Sequence, residues 1–210
     1  MNIVVVGTGN MGRTLGKAWR EAGHKVALVP RDAGAERAKI LQDQGFDVVS
    51  SRDAATTGDV IVLAVPWTAL PAAIDSLGSL DGKILLDVTN PLTADLSLAI
   101  NDDDSAGETV AELAPRARVV KAFNTTGAGN MGNSRYANGK LMMPVAGDNA
   151  EAKTVVMGLA ADLGFEAIDV GPLSMSRYLE PMAVLWTKLA LVQKLGTDFG
   201  FALLRRSKGQ

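Results

Sequence analysis

The sequence predicts an α/β fold in which a doubly wound, mostly parallel sheet is followed by a small C-terminal α/β lobe and a long C-terminal helix. Two observations carry this prediction. A β-branched run, Ile3 to Val6, leads directly into a glycine-rich turn and a helical pattern, as at the start of a Rossmann-like sheet. Beyond it, strand-length apolar runs alternate with helical patterns, as a parallel sheet with crossover helices requires. We expect the Rossmann domain to span residues 1–146 and the lobe to span 147–210.

The turn after the first strand has the spacing of a dinucleotide-binding loop. Gly7 allows the tight turn, Gly9 lets backbone N–H groups approach a pyrophosphate, and Gly12 lets the helix lie close to the strand. The N-terminus of that helix favours an anion, because free N–H groups and the positive end of the helix dipole meet there. The alternative is a glycine turn with a structural role only. The residues predicted to bind the cofactor are Gly7, Thr8, Gly9, Asn10, Met11 and Gly12.

The turn after the second strand indicates which dinucleotide is bound. This strand runs from His24 to Val29 and is followed by Pro30, Arg31 and Asp32. A site specific for NAD usually has an acidic residue at the strand tip, whereas an arginine there suits the 2′-phosphate of NADP. Pro30 and Arg31 are therefore predicted to bind NADP, although Asp32 adds a negative charge beside them. The alternative is that Arg31 is a solvated loop cation.

Two further strands end in sequences that should face the cofactor. After a helix at 35–44 and a short strand at 46–49, apolar strands are expected at 59–65 and 83–88. Ligands of open α/β sheets lie beyond the carboxyl ends of the strands, so the residues there are expected to face the nicotinamide half of the cofactor. Asn90 is a candidate hydrogen-bonding partner of its ribose or amide. The other residues predicted there are Ala64, Val65 and Pro66.

The next segment contains an acidic run and then a loop of small residues. The acids at 102–104 suggest a metal site, but Ser105 and Glu108 have the spacing of a capping box. We therefore expect the acids to precede a helix N-terminus, where negative charge is favourable, and we predict no metal. A buried strand at 118–123 then opens into the loop 124–132. A loop rich in small polar residues is typical of a surface that a ligand approaches.

The last third of the chain combines two strands, at 141–146 and 166–170, with a helix at 150–163 and a long helical segment from Ser176 onward. The long segment is apolar on more than one face. Such a helix has to bury more than one face, so we expect it to pack on its own sheet and to form a homodimer contact. The alternative is a separate cofactor-binding helix.

The composition narrows the class of protein. The chain is 47% hydrophobic and 21% charged with a net charge of −2, which is typical of a globular enzyme and disfavours nucleic acid as the main partner. The absence of cysteine excludes disulfides, thiolate catalysis and cysteine-ligated metals. His24, the only histidine, is expected to be a packing or capping residue. We expect a cytoplasmic protein without a signal peptide or a membrane span, because the first strand begins at once and no apolar run is long enough to span a bilayer.

Seven segments together resemble the coenzyme F420-dependent NADP oxidoreductase family. They are residues 7–12, 65–67, 87–91, 121–125, 145–148, 171–173 and 176–181, so the resemblance covers essentially the whole chain. The segment 123–125, Phe-Asn-Thr, is also similar to the cytosolic NADPH–flavin domains of transmembrane ferric reductases. The family often has a serine at the position of Pro30 and a second basic residue at that of Asp32, and it can have a histidine at that of Asn124.

The resemblance implies hydride transfer between NADP(H) and a deazaflavin, coenzyme F420, or a flavin such as FMN or FAD. By position, it implies three groups of contacts. The phosphates and the adenine ribose are held by Thr8, Gly9, Asn10, Met11, Pro30 and Arg31. The nicotinamide lies near Val65, Val88 and Ala128, and the flavin-like ring lies near Asn124 and Thr125.

Hydride transfer by positioning requires no catalytic side chain, and none is predicted. The chain lacks the G-x-S-x-G and G-K-[ST] motifs of acyl and phosphoryl transfer. The protein has only to hold two rings at reacting distance and to exclude water. Small residues at Gly127 and Ala128 should let the acceptor ring approach. Two alternatives are an NADPH-dependent imine or carbonyl reductase and a non-catalytic module that senses NADP(H).

Overall fold

The computed structural model describes residues 1–31, 34–101, 103–137 and 139–206. In the first half, the elements are β1 Asn2–Val6, α1 Asn10–Glu21, β2 Lys25–Val29, α2 Ala35–Asp43, β3 Asp47–Val48, α3 Ala54–Thr57, β4 Val60–Leu63, α4 Leu70–Ser76 and β5 Ile84–Asp87. The second half contains α5 Ala106–Leu113, β6 Arg118–Lys121, β7 Arg135–Tyr136, β8 Gly139–Lys140, β9 Met142–Gly147, α6 Ala150–Asp162, β10 Glu166–Gly171 and α7 Ser176–Thr187. A π-helical turn, Lys188–Val192, continues α7.

Eight of these strands form one sheet in the order β10-β9-β6-β5-β4-β1-β2-β3. Every neighbouring pair is parallel except β6 and β9, which are antiparallel. The part from β3 to β6 has the strand order of a dinucleotide-binding sheet, whose ligand lies where the order reverses, between β1 and β4. The predicted doubly wound, mostly parallel fold is therefore confirmed.

Apolar cores cover both faces of the sheet. On one face Leu15 and Trp19 of α1 pack with α6 and the loop after β6, and the Trp19 indole donates a hydrogen bond to the Leu159 carbonyl oxygen. On the other face Leu70 of α4 and Val110 of α5 pack against β4 and β5. Strands buried on both faces explain the continuous apolar runs in the sequence, since a half-exposed strand would alternate instead.

Several predicted strands end earlier in the structure. The predicted strand at 59–65 contains only Val60–Leu63 in β4, so Ala64 and Val65 lie in the connection that follows. The strand predicted at 118–123 ends at Lys121, because Phe123 has a φ of 60°, outside the extended region. The sequence did not predict α3, α4 or the β7–β8 hairpin. Pro71 lies in the first turn of α4, where a missing N–H costs little.

The predicted helix cap after the acidic run is confirmed. Ser105 is the N-cap of α5, and its Oγ accepts a hydrogen bond from the Glu108 backbone N–H at 3.1 Å. In a capping box the side chain at the position of Glu108 would accept a hydrogen bond from the Ser105 backbone N–H. Here that N–H donates instead to the Asp104 carboxylate at 2.7 Å. Asp102 lies outside the described residues, as does Asp32 in the turn after β2.

The C-terminal strands β9 and β10 belong to the same sheet as β1, which leads into the glycine loop. β9 pairs with β6, and β10 pairs with β9. The division into 1–146 and 147–210 stays a prediction. In the long C-terminal helical segment, α7 and the π-helical turn end at Val192. Within the described ranges, no helix combines the length and the apolar character that crossing a membrane requires.

Candidate functional site

A cleft of 790 Å³ lies at the carboxyl ends of β1, β2 and β4 and extends along α4. We call it the strand-end cleft. The strand order reverses between β1 and β4, so the cleft occupies the place where open α/β sheets bind ligands. It brings together eight of the residues predicted to bind the cofactor. They are Gly7, Thr8, Gly9, Pro30, Arg31, Ala64, Val65 and Pro66.

The three glycines of the loop have different roles. Gly7 has a φ of 111°, and a Cβ there would lie 2.3 Å from the Ala64 carbonyl oxygen. A Cβ on Gly12 would lie 2.2 Å from the Gly7 carbonyl oxygen, so both positions require glycine for folding. A Cβ on Gly9 would meet nothing within 4 Å. Gly9 is therefore the glycine that leaves space free above the loop.

The loop leads into α1 with its first N–H groups available to an anion. Gly9 is the N-cap residue, and within the described residues no side chain caps this end and no acid lies in the first turn. Asn10 is exposed in that first turn. Met11 is half-buried and packs on the core. The fit to a pyrophosphate thus rests on the open space at Gly9 and the uncapped helix end.

Two arginines line the strand-end cleft, although the sequence predicted only one. Arg31 follows β2, is exposed and lies in the cleft wall, so its binding of a 2′-phosphate stays a prediction. Arg37, in the first turns of α2, also lines the cleft, and its guanidinium donates to the Thr8 hydroxyl at 3.2 Å. The spacing of six residues between the two arginines was visible in the sequence. The sequence could not predict that Arg37 reaches the cleft, because this depends on how α2 packs beside the glycine loop.

Of the residues predicted for the nicotinamide, Ala64, Val65 and Pro66 line the strand-end cleft. The other nicotinamide residues and the acceptor residues do not: Val88, Asn90, Asn124, Thr125, Gly127 and Ala128. Val88 and Thr125 are buried, and Ala128 is half-buried. Asn90 donates to the Asn124 backbone carbonyl oxygen at 3.0 Å, and its own side-chain oxygen accepts from the Asn124 amide at 3.0 Å. The structure therefore joins the loops after β5 and β6 through this pair of asparagines.

The Asn124 amide has a defined orientation. Its nitrogen donates to the Asn90 side-chain oxygen and to the Leu179 carbonyl oxygen. If the nitrogen and oxygen of the amide were exchanged, the Asn124 oxygen would face these two acceptors without a donor between them. Its oxygen is buried and has no hydrogen-bond partner among the described residues. A buried acceptor without a donor is costly, and a ring N–H or a bound water would satisfy it.

The C-terminal segment covers part of the loop after β6. A Cβ on Gly127 would lie 2.3 Å from the Trp186 indole, so this glycine is needed for that contact. Trp186 stacks on Phe199 with ring centroids 5.3 Å apart, and both its Nε1 and the Asn130 amide donate to the Phe199 carbonyl oxygen. The sequence predicted an apolar helical segment from Ser176 onward, but not the contact between Trp186 and this loop.

His24 lies before β2, at the amino end of the strand. Its Nε2 is 3.0 Å from the Asp162 carboxylate, and its Nδ1 is 3.4 Å from the Met1 amino group. These contacts tie the end of α6 to the start of the chain.

A strand-end cleft with an open glycine loop, an uncapped helix N-terminus and two arginines defines a Rossmann-type nucleotide-binding protein. Comparison with known proteins gives the family. The family profile described as NADP oxidoreductase, coenzyme F420-dependent, matches residues 2–91. The F420-dependent NADP reductase of Methanocaldococcus jannaschii is 31% identical over 92% of this chain and 94% of its own length. The chain belongs to the coenzyme F420-dependent NADP oxidoreductase family and is an NADP-dependent oxidoreductase, as the sequence predicted.

Solved structures and a second group of relatives extend this result. A protein from Arthrobacter sp. FB24, assigned as an F420-dependent NADP reductase, is 31% identical with a TM-score of 0.87 over 98% of this chain and 100% of its own. The rat metalloreductase STEAP3 is 30% identical over 84% of this chain, which spans only 35% of that relative's length. An imine reductase from Aspergillus terreus has a TM-score of 0.68 at 20% identity over 92% of this chain and 63% of its own, and it shares the fold alone.

Proposed function

We propose that this protein transfers a hydride between NADP(H) and coenzyme F420. The observation that carries the proposal is the 31% identity to an F420-dependent NADP reductase over nearly the full length of both chains. The strand-end cleft supports it, because Gly9 leaves open space there and two arginines line the wall. When bound, the nicotinamide supplies the hydride. The protein supplies binding, orientation and exclusion of water.

We propose that the cleft binds the nucleotide through three sets of residues. The glycine loop, Gly7 to Gly12, holds the pyrophosphate through backbone N–H groups. Pro30, Arg31 and Arg37 hold the adenine ribose and its 2′-phosphate. The nicotinamide lies beyond β4 and β5, near Ala64, Val65, Pro66, Val88, Asn90 and Ala128.

The acceptor ring is proposed to lie at the loop after β6. Asn124 has a free side-chain oxygen that fits a ring N–H, and Thr125 is its neighbour. Gly127 is covered by Trp186 on the side where its Cβ would be, so it would meet the ring through its backbone. A flavin, FMN or FAD, is the second candidate acceptor, because the chain is also similar to a metalloreductase and the resemblance to ferric reductases implies a flavin.

An acceptor screen tests this proposal. NADPH oxidation is measured with coenzyme F420, FMN, FAD, ferric chelates and cyclic imines at equal concentrations. We expect the highest kcat/KM with F420. A higher value with a flavin would support the second candidate, and turnover of imines alone would contradict both. NADPH binding without turnover of any acceptor would support a sensing module instead.

Arg31→Ala is expected to weaken NADPH binding by about 10- to 100-fold, because a hydrogen bond between charged groups contributes about 1.5–3 kcal/mol. NADH lacks the 2′-phosphate, so the dissociation constant of NADH should change by less than about threefold. Titration calorimetry with both nucleotides measures the effect. Arg52→Ala is the matched control, since Arg52 is exposed nearby but lies outside the cleft lining. Equal losses for both nucleotides would remove the 2′-phosphate role of Arg31.

We propose further that a second copy of the chain covers the C-terminal apolar face. Four aliphatic side chains that are each more than half exposed lie on α7 and directly after it: Leu185, Leu191, Val192 and Leu195. Exposed apolar patches of this kind are typical of protein interfaces. The predicted homodimer would bury them.

Leu185→Glu combined with Leu191→Glu should convert the dimer to a monomer, because both charges would be buried without partners. Light scattering coupled to size-exclusion chromatography gives the mass. Ile40→Glu is the control, since Ile40 is an exposed apolar residue on α2, in another part of the chain. A monomeric wild type, or a dimer that persists in the double variant, would show that this face is not the interface.

A further inference from the structure

Three charged side chains are buried together where β5, β6 and α7 meet. Lys121 and Asp87 are 0% exposed and Glu180 is 2% exposed. The Lys121 ammonium lies 2.8 Å from the Asp87 carboxylate and 2.9 Å from the Glu180 carboxylate. We call these three residues the Lys121 cluster. The nucleotide-binding residues proposed above do not include them.

The hydrogen bonds of the cluster fit its ionised form. Glu180 accepts hydrogen bonds from the Ala106 and Gly107 backbone N–H groups at 3.0 and 3.2 Å. Asp87 accepts one from the Thr89 N–H at 2.8 Å. All these partners are donors, which is what an ionised carboxylate requires. Burial by itself would lower the pKa of Lys121, but the two carboxylates raise that pKa above its ordinary value.

The cluster therefore holds two negative charges and one positive charge. Part of the excess is offset by the N-terminus of α5, whose dipole is equivalent to about half a positive charge. The nearby pair of Arg177 and Glu108 adds no net charge, since its two members neutralise each other at 2.7 Å. A net negative charge remains on side chains that are at most 2% exposed.

This charge lies close to the place proposed for the nicotinamide. Asp87 is the last residue of β5, and its partner across the sheet is Leu63, the last residue of β4. Val65, two residues further on, lines the strand-end cleft. With strands about 4.8 Å apart and a rise of about 3.3 Å per residue, Asp87 lies on the order of 10 Å from this part of the cleft.

We infer that the Lys121 cluster favours the oxidised nicotinamide over the reduced one, and so makes the bound nucleotide a stronger hydride donor. The inference rests on the placement of the nicotinamide in the proposed function. When the C–H bond of NADPH breaks, the hydride takes both electrons to the acceptor and the nicotinamide ring keeps one positive charge. A fixed negative charge in a poorly solvated region attracts that positive charge and does not act on the neutral reduced ring.

Glu180→Gln removes one negative charge with almost no change of shape, and it leaves Lys121 paired with Asp87. The dissociation constants of NADP⁺ and NADPH are measured by titration calorimetry, without an acceptor. Glu180 contacts the same ammonium as Asp87, so its carboxylate lies on the order of 10–15 Å from the cleft. At that distance and an effective dielectric constant of about 20, the ratio of the NADP⁺ constant to the NADPH constant should rise on the order of tenfold. For a two-electron couple, a tenfold change corresponds to a midpoint potential of the bound nucleotide higher by about 30 mV.

Glu108→Gln is the matched control. It makes the same change of charge at the same end of α5, but its carboxylate is partly exposed and pairs with Arg177. Solvent screening should leave the ratio unchanged there. Asp87→Asn is the second variant if Glu180→Gln does not fold, and it should raise the ratio too.

Equal losses of both affinities would show that the cluster only holds the loops in place, and an unchanged ratio would show that its charge does not reach the ring. Either result overturns the inference. The measurement needs no acceptor, so a failed F420 assay would reject the proposed function without deciding this question. A raised ratio in Glu180→Gln with an unchanged ratio in Glu108→Gln supports the inference.

Discussion

Gly9→Val is expected to abolish NADPH binding and to leave the fold intact. A Cβ at this position meets no other atom within 4 Å and extends into open space, so the folded chain tolerates it. The φ of −70° at Gly9 also suits a β-branched residue. The valine methyl groups would occupy the space through which a pyrophosphate approaches the loop. We expect the NADPH dissociation constant to rise by at least about 100-fold, which corresponds to about 2.8 kcal/mol.

Titration calorimetry and thermal melting together measure this effect. Gly158→Val is the matched control, because a Cβ at Gly158 in α6 also meets nothing within 4 Å but lies outside the cleft. It should bind NADPH like the wild type. Gly12→Val should instead fail to fold, since its Cβ would lie 2.2 Å from the Gly7 carbonyl oxygen. Unchanged NADPH affinity in Gly9→Val would remove the pyrophosphate from this loop.

Lys121→Met is expected to lower the free energy of unfolding by about 3–5 kcal/mol, because it leaves two buried carboxylates without their cation. Urea denaturation at neutral pH measures the loss. Lys153→Met is the control: Lys153 pairs with Asp169, whose side chain is 47% exposed, so its loss should cost about 1 kcal/mol or less. A loss below about 1 kcal/mol in Lys121→Met would contradict the buried ion pairs described here.

The raised pKa of Lys121 determines how its contribution to the free energy of unfolding depends on pH. A lysine whose pKa is higher in the folded state contributes its full stabilisation below the pKa of the unfolded chain, about 10.4. The contribution is lost only as the pH rises through the higher folded value. The stability that Lys121 adds through its own ionisation should therefore be constant between about pH 6 and 9 and fall only in strong alkali.

The sequence was sufficient for those features that depend on neighbouring residues. The strand, turn and helix from Ile3 to Gly12 follow from local periodicity and glycine spacing, and the structure contains them. The cap of α5 at Ser105 is equally local. Alternating strands and helices then leave few ways to build a parallel sheet, so the fold class could be predicted as well.

The features that depend on distant packing were not predicted. Lys121 and Glu180 are far apart in the sequence, and Lys121 stands in an apolar strand, where nothing local indicates a buried ion pair. Arg37 reaches the glycine loop only because α2 packs beside it. The contact between Trp186 and Gly127 depends on how the C-terminal segment folds back. These are tertiary contacts, and periodicity carries no information about them.

The most direct test of the proposed reaction follows a deuterium atom. NADPH that carries deuterium at both hydrogen positions of the nicotinamide carbon that donates the hydride is incubated with the protein and coenzyme F420, and the reduced F420 is analysed by mass spectrometry. A deazaflavin accepts the hydride on carbon, so the transferred deuterium does not exchange with water. We predict that the reduced F420 carries the deuterium. Recovery of unreduced F420 with the deuterium still in NADPH, or of reduced F420 without deuterium, would contradict direct hydride transfer between the two rings.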